Sequence, residues 1–207
     1  MNIDITKALE GVRRGRILHI GANTGQEYEL YRQLGFNNNV WVEMDSSLTS
    51  ILWDKCEGDL VLNCAVSDTP AKINGYYSAS NNNESASLLK PLKHIDKYSN
   101  INFNKNFKEV YQNTIECLIS TSMIYEPNVL VLDIQGNELN ALKGLGRYID
   151  KFDVIITEAY TEELYEGCGM LDDIKQLLSE HYDFIEYNPE GDKGWGDALF
   201  KLKQNKQ

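Results

Sequence analysis

Three acids stand where an apolar run gives out: Glu43 in "NVWVEMD", Asp133 in "NVLVLDI" and Glu158 in "FDVIITEAY". A carboxylate so placed can accept both hydroxyls of a diol or take a proton from an alcohol. Paired with a second one, it can ligate a hard divalent cation such as Mg²⁺. A glycine loop comes before them. "ILHIGANTGQEYEL" passes from an apolar run into Gly21, Ala22, Asn23 and Gly25, after which Leu30 and Leu34 fall at helical spacing up to Gly35. Two glycines four positions apart allow a tight turn and close approach of backbone to a ligand, and a helix starting there offers free N–H groups.

Such residues need a scaffold that gathers strand ends. Apolar strand-like runs span Arg16–Ile20, Asn39–Asp45, Asp59–Ser67, Asn128–Ile134 and Phe152–Tyr160, with a shorter one at Ala71–Ser78. Between them, "SSLTSILWDKC" carries Leu48, Ile51 and Leu52 on one helical face with Ser46 or Ser47 as cap, and "ELNALKGL" spaces Leu139, Leu142 and Leu145 helically. "MLDDIKQLLSEHY" is a further amphipathic helix. The tail reads as two strands around a Pro/Gly-rich turn. This alternation predicts an α/β fold: a doubly wound, mostly parallel sheet with helices on both faces and a C-terminal antiparallel hairpin.

At 207 residues the chain suits a single domain, 1–207. Residues 78 to about 113, rich in Asn, Ser and Lys with weak periodicity, are expected to form a partly helical substrate lid. Tyr76, Tyr77, Tyr98, Phe103 and Phe107 there suit either a cover over an acceptor or a small satellite core. His94 and His181 are expected to be solvated or packed.

With 42% hydrophobic and 25% charged residues, the composition is that of a globular chain. A net charge of −11 opposes binding to nucleic acid, which requires clustered Lys and Arg. Neither a signal peptide nor a bilayer-length apolar run is visible, so the expectation is a cytoplasmic protein without a membrane partner. Cys56, Cys64, Cys117 and Cys168 are scattered, which argues against a zinc knuckle or a disulfide framework.

Ligands of doubly wound sheets bind at the carboxyl ends of the strands. The loop reads GxxxG rather than the GxGxxG that brings a pyrophosphate close, and Gln26 stands where a triphosphate loop needs Lys. Glu43, about twenty positions beyond Gly21, is placed to accept a ribose diol. A glycine loop with this acid and no phosphate glycines suits S-adenosylmethionine.

Taken together, "LHIGANTGQE", "VEMD", "LNCAVSD", "ESASLL", "VLDIQGNELNALKG", "IITEAY" and "GWGDALF" resemble the FkbM family of S-adenosylmethionine-dependent methyltransferases, in the family's order from about residue 16 to residue 202. The resemblance implies a Rossmann-like class I methyltransferase fold and O-methylation of a hydroxyl on a sugar, glycan or other small molecule. By position it puts Gly21, Ala22, Asn23 and Gly25 at the methionine end of the cofactor, Glu43 at the ribose, and Ala65, Val66 and Ser67 near the adenine. Ser85 and Ser87 would face substrate or cofactor. His19 replaces the family's usual Asp, and Gln135, which cannot act as a base, stands where many members have Glu.

For such chemistry Asp133 and Glu158 are the expected catalytic acids, Asp133 also adjoining the cofactor, with Glu138 a further acidic candidate. If the strands of Asp133 and Glu158 are neighbours, the two serve either as base and orienting partner or as two ligands of Mg²⁺. Asp197 is expected to return to the same rim, beside Trp195 as a flat surface for a sugar ring. Two alternatives stay open: a cofactor-binding module without catalysis, and a nicotinamide-dependent oxidoreductase. Oligomeric state is not legible.

Overall fold

Burial on both faces is what writes continuous apolar runs into a sequence, and the computed structural model, which describes residues 2–121 and 124–204, places those runs at the centre of a seven-stranded sheet. Its strands are β1 (Arg16–Ile20), β2 (Val40–Glu43), β3 (Leu60–Asn63), β7 (Pro127–Leu132), β8 (Val154–Tyr160), β9 (Tyr182–Pro189) and β10 (Trp195–Leu202). Their order is β3-β2-β1-β7-β8-β10-β9. All are parallel except β10, which runs antiparallel to β8 and β9 and closes the expected hairpin. Along β1, Leu18 and Ile20 face one core and Ile17 faces the other.

The first of these cores is covered by α5 (Ile115–Ser120), α6 (Glu138–Lys143) and α7 (Leu171–Leu178), the second by α1 (Ile5–Ala8), α2 (Tyr28–Gln33) and α3 (Ser46–Lys55). Two details of α3 differ from the sequence reading. Its cap is Asp45, whose carboxylate accepts from the Ser47 N–H at 2.8 Å, because the serines already lie inside the first turn. Leu48 and Leu52 are buried as expected, but Ile51 is 46% exposed, since the sheet meets a narrower stripe than the spacing suggests.

The run Asp59–Ser67 is not one strand. It breaks at Cys64, and β4 (Ala65–Val66) leaves for a second sheet of order β4-β6-β5, with β5 (Ala71–Ala79) and β6 (Phe103–Asn113). Asn63 pins the break by donating to the Glu43 and Met44 carbonyls at 2.9 and 3.0 Å. The last third of the segment expected to form a partly helical lid is therefore the long strand β6, whose largely exposed faces leave little apolar alternation to read. Only α4 (Lys93–Lys97) is helical within residues 80–102. Among the described residues no helix is long and apolar enough to cross a membrane.

Candidate active site

At the carboxyl end of β1 the chain must turn under β7, and this fixes Gly21. Its φ is 83°, and a Cβ there would overlap the Asp133 carbonyl oxygen. Asn23 follows, also left-handed at φ 45°, and sends its N–H to Glu43 Oε2 at 2.9 Å, while the Asp45 N–H reaches Oε1 at 2.8 Å. Burial pushes the Glu43 carboxyl up to about 7, although these two donors favour its charge. Ala22 and Gly25 stand differently from the expectation. Ala22 is buried in the core, and Gly25 lies against Leu52 and Cys56, so both shape the loop from beneath without lining the space above it.

That space is a cleft of about 430 Å³ over the ends of β1, β2, β7 and β8. A narrow apolar slot of about 40 Å³, lined by Ala65, Val66, Ala86, Leu88 and Ile134, opens beside it. Gly21, Glu43 and Asp133 border both. Ser67, expected with its two neighbours, lines neither: it pairs with Asn113, its N–H donating to that carbonyl at 3.0 Å. Residues 81–86 roof the cleft. There the Asn23 amide donates to the Asn82 carbonyl at 3.3 Å and Asn83 donates to Asp45 at 2.6 Å. Asp45 also accepts from Tyr76 at 2.9 Å; burial opposes its charge, but the donors outweigh it and hold the carboxyl below its usual range.

Across the cleft, β7 and β8 are neighbours, so Asp133 and Glu158 do converge, and the Gln135 side chain lies between them. Its amide nitrogen donates to Asp133 Oδ1 at 2.8 Å and to Glu158 Oε2 at 3.0 Å. Tyr160 donates to the same Glu158 oxygen. Burial pushes Asp133 up to about 6 and Glu158 well above the usual carboxylate range, the latter helped by the charges of Asp133 and Glu138. Glu138 is sealed from solvent. It accepts from the Ile134 and Gly136 N–H groups at 2.9 and 3.0 Å, holding the turn after β7, and so drops out as a catalytic acid.

The metal reading of this pair does not fit. An amide donor fills the position between the carboxylates that a cation would need, and among the described residues no three His, Cys, Asp or Glu side chains converge as ligands.

The outer wall carries Trp195, whose indole N–H donates to Tyr98 Oη at 2.6 Å, together with His94, Leu164 and Lys193. His94, in the polar segment, is buried beneath Tyr98 at 4.5 Å between ring centres, and burial lowers it to about 4. Its Nδ1 has no partner among the described residues. The aromatics divide: Tyr98 lines the cleft, Tyr76 joins a small core with Val110, Phe103 packs near Tyr165, and Phe107 is exposed. Ser85 lines the cleft, but Ser87 is fully buried and donates to the Gln135 carbonyl at 2.6 Å. Asp197 does not reach the rim either. It lies buried behind Glu158, where it accepts from the Asn2 and Ile3 N–H groups. Asp45, Asn83, His94, Tyr160 and Tyr165 were missed as site residues; of these only Asp45, a cap residue before two serines, carries a sequence signal.

The family model of the methyltransferase FkbM domain matches residues 19–185. The chain belongs to that family. It is an S-adenosylmethionine-dependent methyltransferase, and the nicotinamide alternative is set aside. No curated protein matches the sequence. Among solved structures, the ribosomal protein L11 methylase of Lactobacillus delbrueckii subsp. bulgaricus is similar with a TM-score of 0.52 at 11% identity, covering 96% of this chain and 76% of that one. TrmK of M. capricolum in complex with S-adenosyl-homocysteine has a TM-score of 0.52 at 9% identity, covering 99% and 70%. At such identities these matches show the shared class I methyltransferase fold. The family's cofactor suits the donor set: a thin apolar slot for a flat base, a carboxylate with free lone pairs at its mouth for a diol, and a polar cleft beyond.

Proposed function

We propose that this FkbM methyltransferase acts on oxygen, transferring a methyl group to a hydroxyl of a sugar, glycan or other small molecule in the cytoplasm. The observation that carries the reading is a half-buried carboxyl, Asp133, beside the cofactor position, with one oxygen bonded to Gln135 and the other, Oδ2, taking no hydrogen bond from the described residues. An alcohol must give up its proton as it attacks carbon, and a carboxylate pushed up to about 6 is mostly ionised at neutral pH yet more basic than an ordinary one.

When bound, S-adenosylmethionine supplies a methyl group on a positively charged sulfur, which an oxygen nucleophile can displace. Gly21, Asn23 and Glu43 would hold it, with Ala65 and Val66 walling the base. The chain's task is then to orient the acceptor and exclude water. Trp195 and Tyr98 offer apolar ring faces for a sugar, Ser85 offers a hydroxyl, and residues 81–101, the part of segment 78–113 that borders the cleft, form the lid of this reading. Glu158, whose charge burial disfavours, stands beside Asp133 as a partner that orients the acceptor oxygen. The acidic surface supports a small-molecule acceptor over a nucleic acid.

The test is to incubate the protein with labelled S-adenosylmethionine and a panel of monosaccharides, amino sugars, uronic acids and phenols, and to locate the methyl group by mass spectrometry and NMR. An O-methyl ether is the expected product. Methylation on nitrogen or carbon alone would overturn the oxygen reading and leave family membership intact.

A further inference from the structure

Gln135 is held more firmly than a spectator would be. It occupies a left-handed conformation at φ 53°, unusual for a residue other than glycine. The Ser87 hydroxyl fixes its carbonyl at 2.6 Å, and the Tyr165 hydroxyl, which also lies 3.1 Å from the Ser85 carbonyl, donates to its Oε1 at 2.9 Å. With its oxygen thus assigned, its nitrogen must face the acids, where it spends one hydrogen on Asp133 and the other on Glu158.

The consequence for the acids follows from which oxygens are taken. Asp133 Oδ1 and Glu158 Oε2 are occupied by the amide; Asp133 Oδ2 and Glu158 Oε1 take no hydrogen bond from the described residues. We propose that Gln135 is a positioning residue: its amide bridges the two carboxyl groups so that they share one negative charge and present one free oxygen each to the acceptor. A carboxylate bridge would add a further like charge, and an apolar one would leave Asp133 Oδ1 without its donor.

Several other groups act on this pair. Glu138 faces it from α6, Asp197 from β10 and Glu27 from the loop before α2; the Tyr160 and Tyr165 hydroxyls face it from β8 and the segment after it. Three of these are acids, so the amide offsets a field that otherwise disfavours charge. Seating of the roof also bears on the pair, because Ser85 belongs to it and Ser87 follows directly after it.

The inference rests on Asp133 being the base, and its test needs no acceptor. Carboxyl carbons of Asp and Glu are labelled with ¹³C in the full chain, assigned with Asp133→Asn and Glu158→Gln, and titrated by NMR in wild type, Gln135→Met and Tyr165→Phe. In Gln135→Met the Asp133 titration should move up by about one pH unit, with Glu43 unmoved. Tyr165→Phe should give a smaller shift of the same sign, and it decides the matter if Gln135→Met does not fold. Asp133 and Glu158 titrating as in wild type, or Glu43 shifting along with them, would overturn the bridge. Neither outcome bears on which atom is methylated, so this proposal and the oxygen reading fail separately.

Discussion

The two ends of the cleft hold their acids by different means. At the end of β2, Glu43 is gripped by backbone N–H groups of Asn23 and Asp45, both within 20 residues of it. At the ends of β7 and β8, Asp133 and Glu158 are gripped by side chains, Gln135 and Tyr160, and Gln135 is itself anchored by Tyr165 and Ser87, 30 and 48 residues away. A backbone donor survives any substitution that keeps the turn, whereas a side-chain donor is lost with one codon. On the proposed reading, the cofactor end is held by donors that most substitutions leave in place, and the reacting end by donors that a single substitution removes.

The contrast is sharpest at Asp133. Asp133→Asn should slow methyl transfer by about 10²–10⁴-fold, while calorimetry with S-adenosylhomocysteine shows a loss of affinity no larger than about tenfold. Equal losses in both would move Asp133 to the cofactor end and erase the division. Gly21→Ala should lower stability in urea unfolding by about 3 kcal/mol, because its Cβ would enter the Asp133 carbonyl at a positive φ. A normal unfolding curve would mean that the two ends do not depend on this contact.

Glu43→Gln probes the cofactor end alone and should weaken S-adenosylhomocysteine binding by about tenfold at pH 8. In wild type that affinity should climb as pH rises through about 7, since the ionised carboxylate accepts both ribose hydroxyls; in Glu43→Gln the climb should vanish. Without ligand the sign reverses. A carboxyl raised in the folded state contributes stability that is complete below the ordinary carboxylate range and is lost as pH rises through its folded value. Melting temperature should therefore fall between about pH 4.5 and 7, less steeply in Glu43→Gln. The smallest effect belongs to neither end: Ile51→Lys should change stability by less than about 0.5 kcal/mol, because that side chain is exposed.

The same division explains what could be read from the sequence. Gly21 and Glu43 work through neighbouring backbone, and the apolar runs that deliver Asp133 and Glu158 are buried on both faces, so spacing located them, whereas Asn23 was named through the family resemblance. Asn83 and His94 reach the cleft, and Tyr165 braces Gln135 beside it, from stretches whose residues face partly to solvent, where no period records the approach. Gln135 was visible as an oddity, but its role depends on Tyr165 and Ser87, which no local pattern links to it. Ser87 and Asp197 are buried supports rather than contacts, a distinction made only by packing. Ile51 shows the converse error, an apolar residue at the right spacing that the sheet does not cover.

The position of β10 bears on how the chain assembles. Although it is the last of the described strands, it lies between β8 and β9, so β9 has no neighbour in this sheet until β10 arrives. During synthesis β8, with its apolar side chains, waits with one edge open, and the pairing of β1 with β7 must likewise bridge most of the chain. The sheet therefore reaches its full strand order only once residues near Leu202 are in place between β8 and β9.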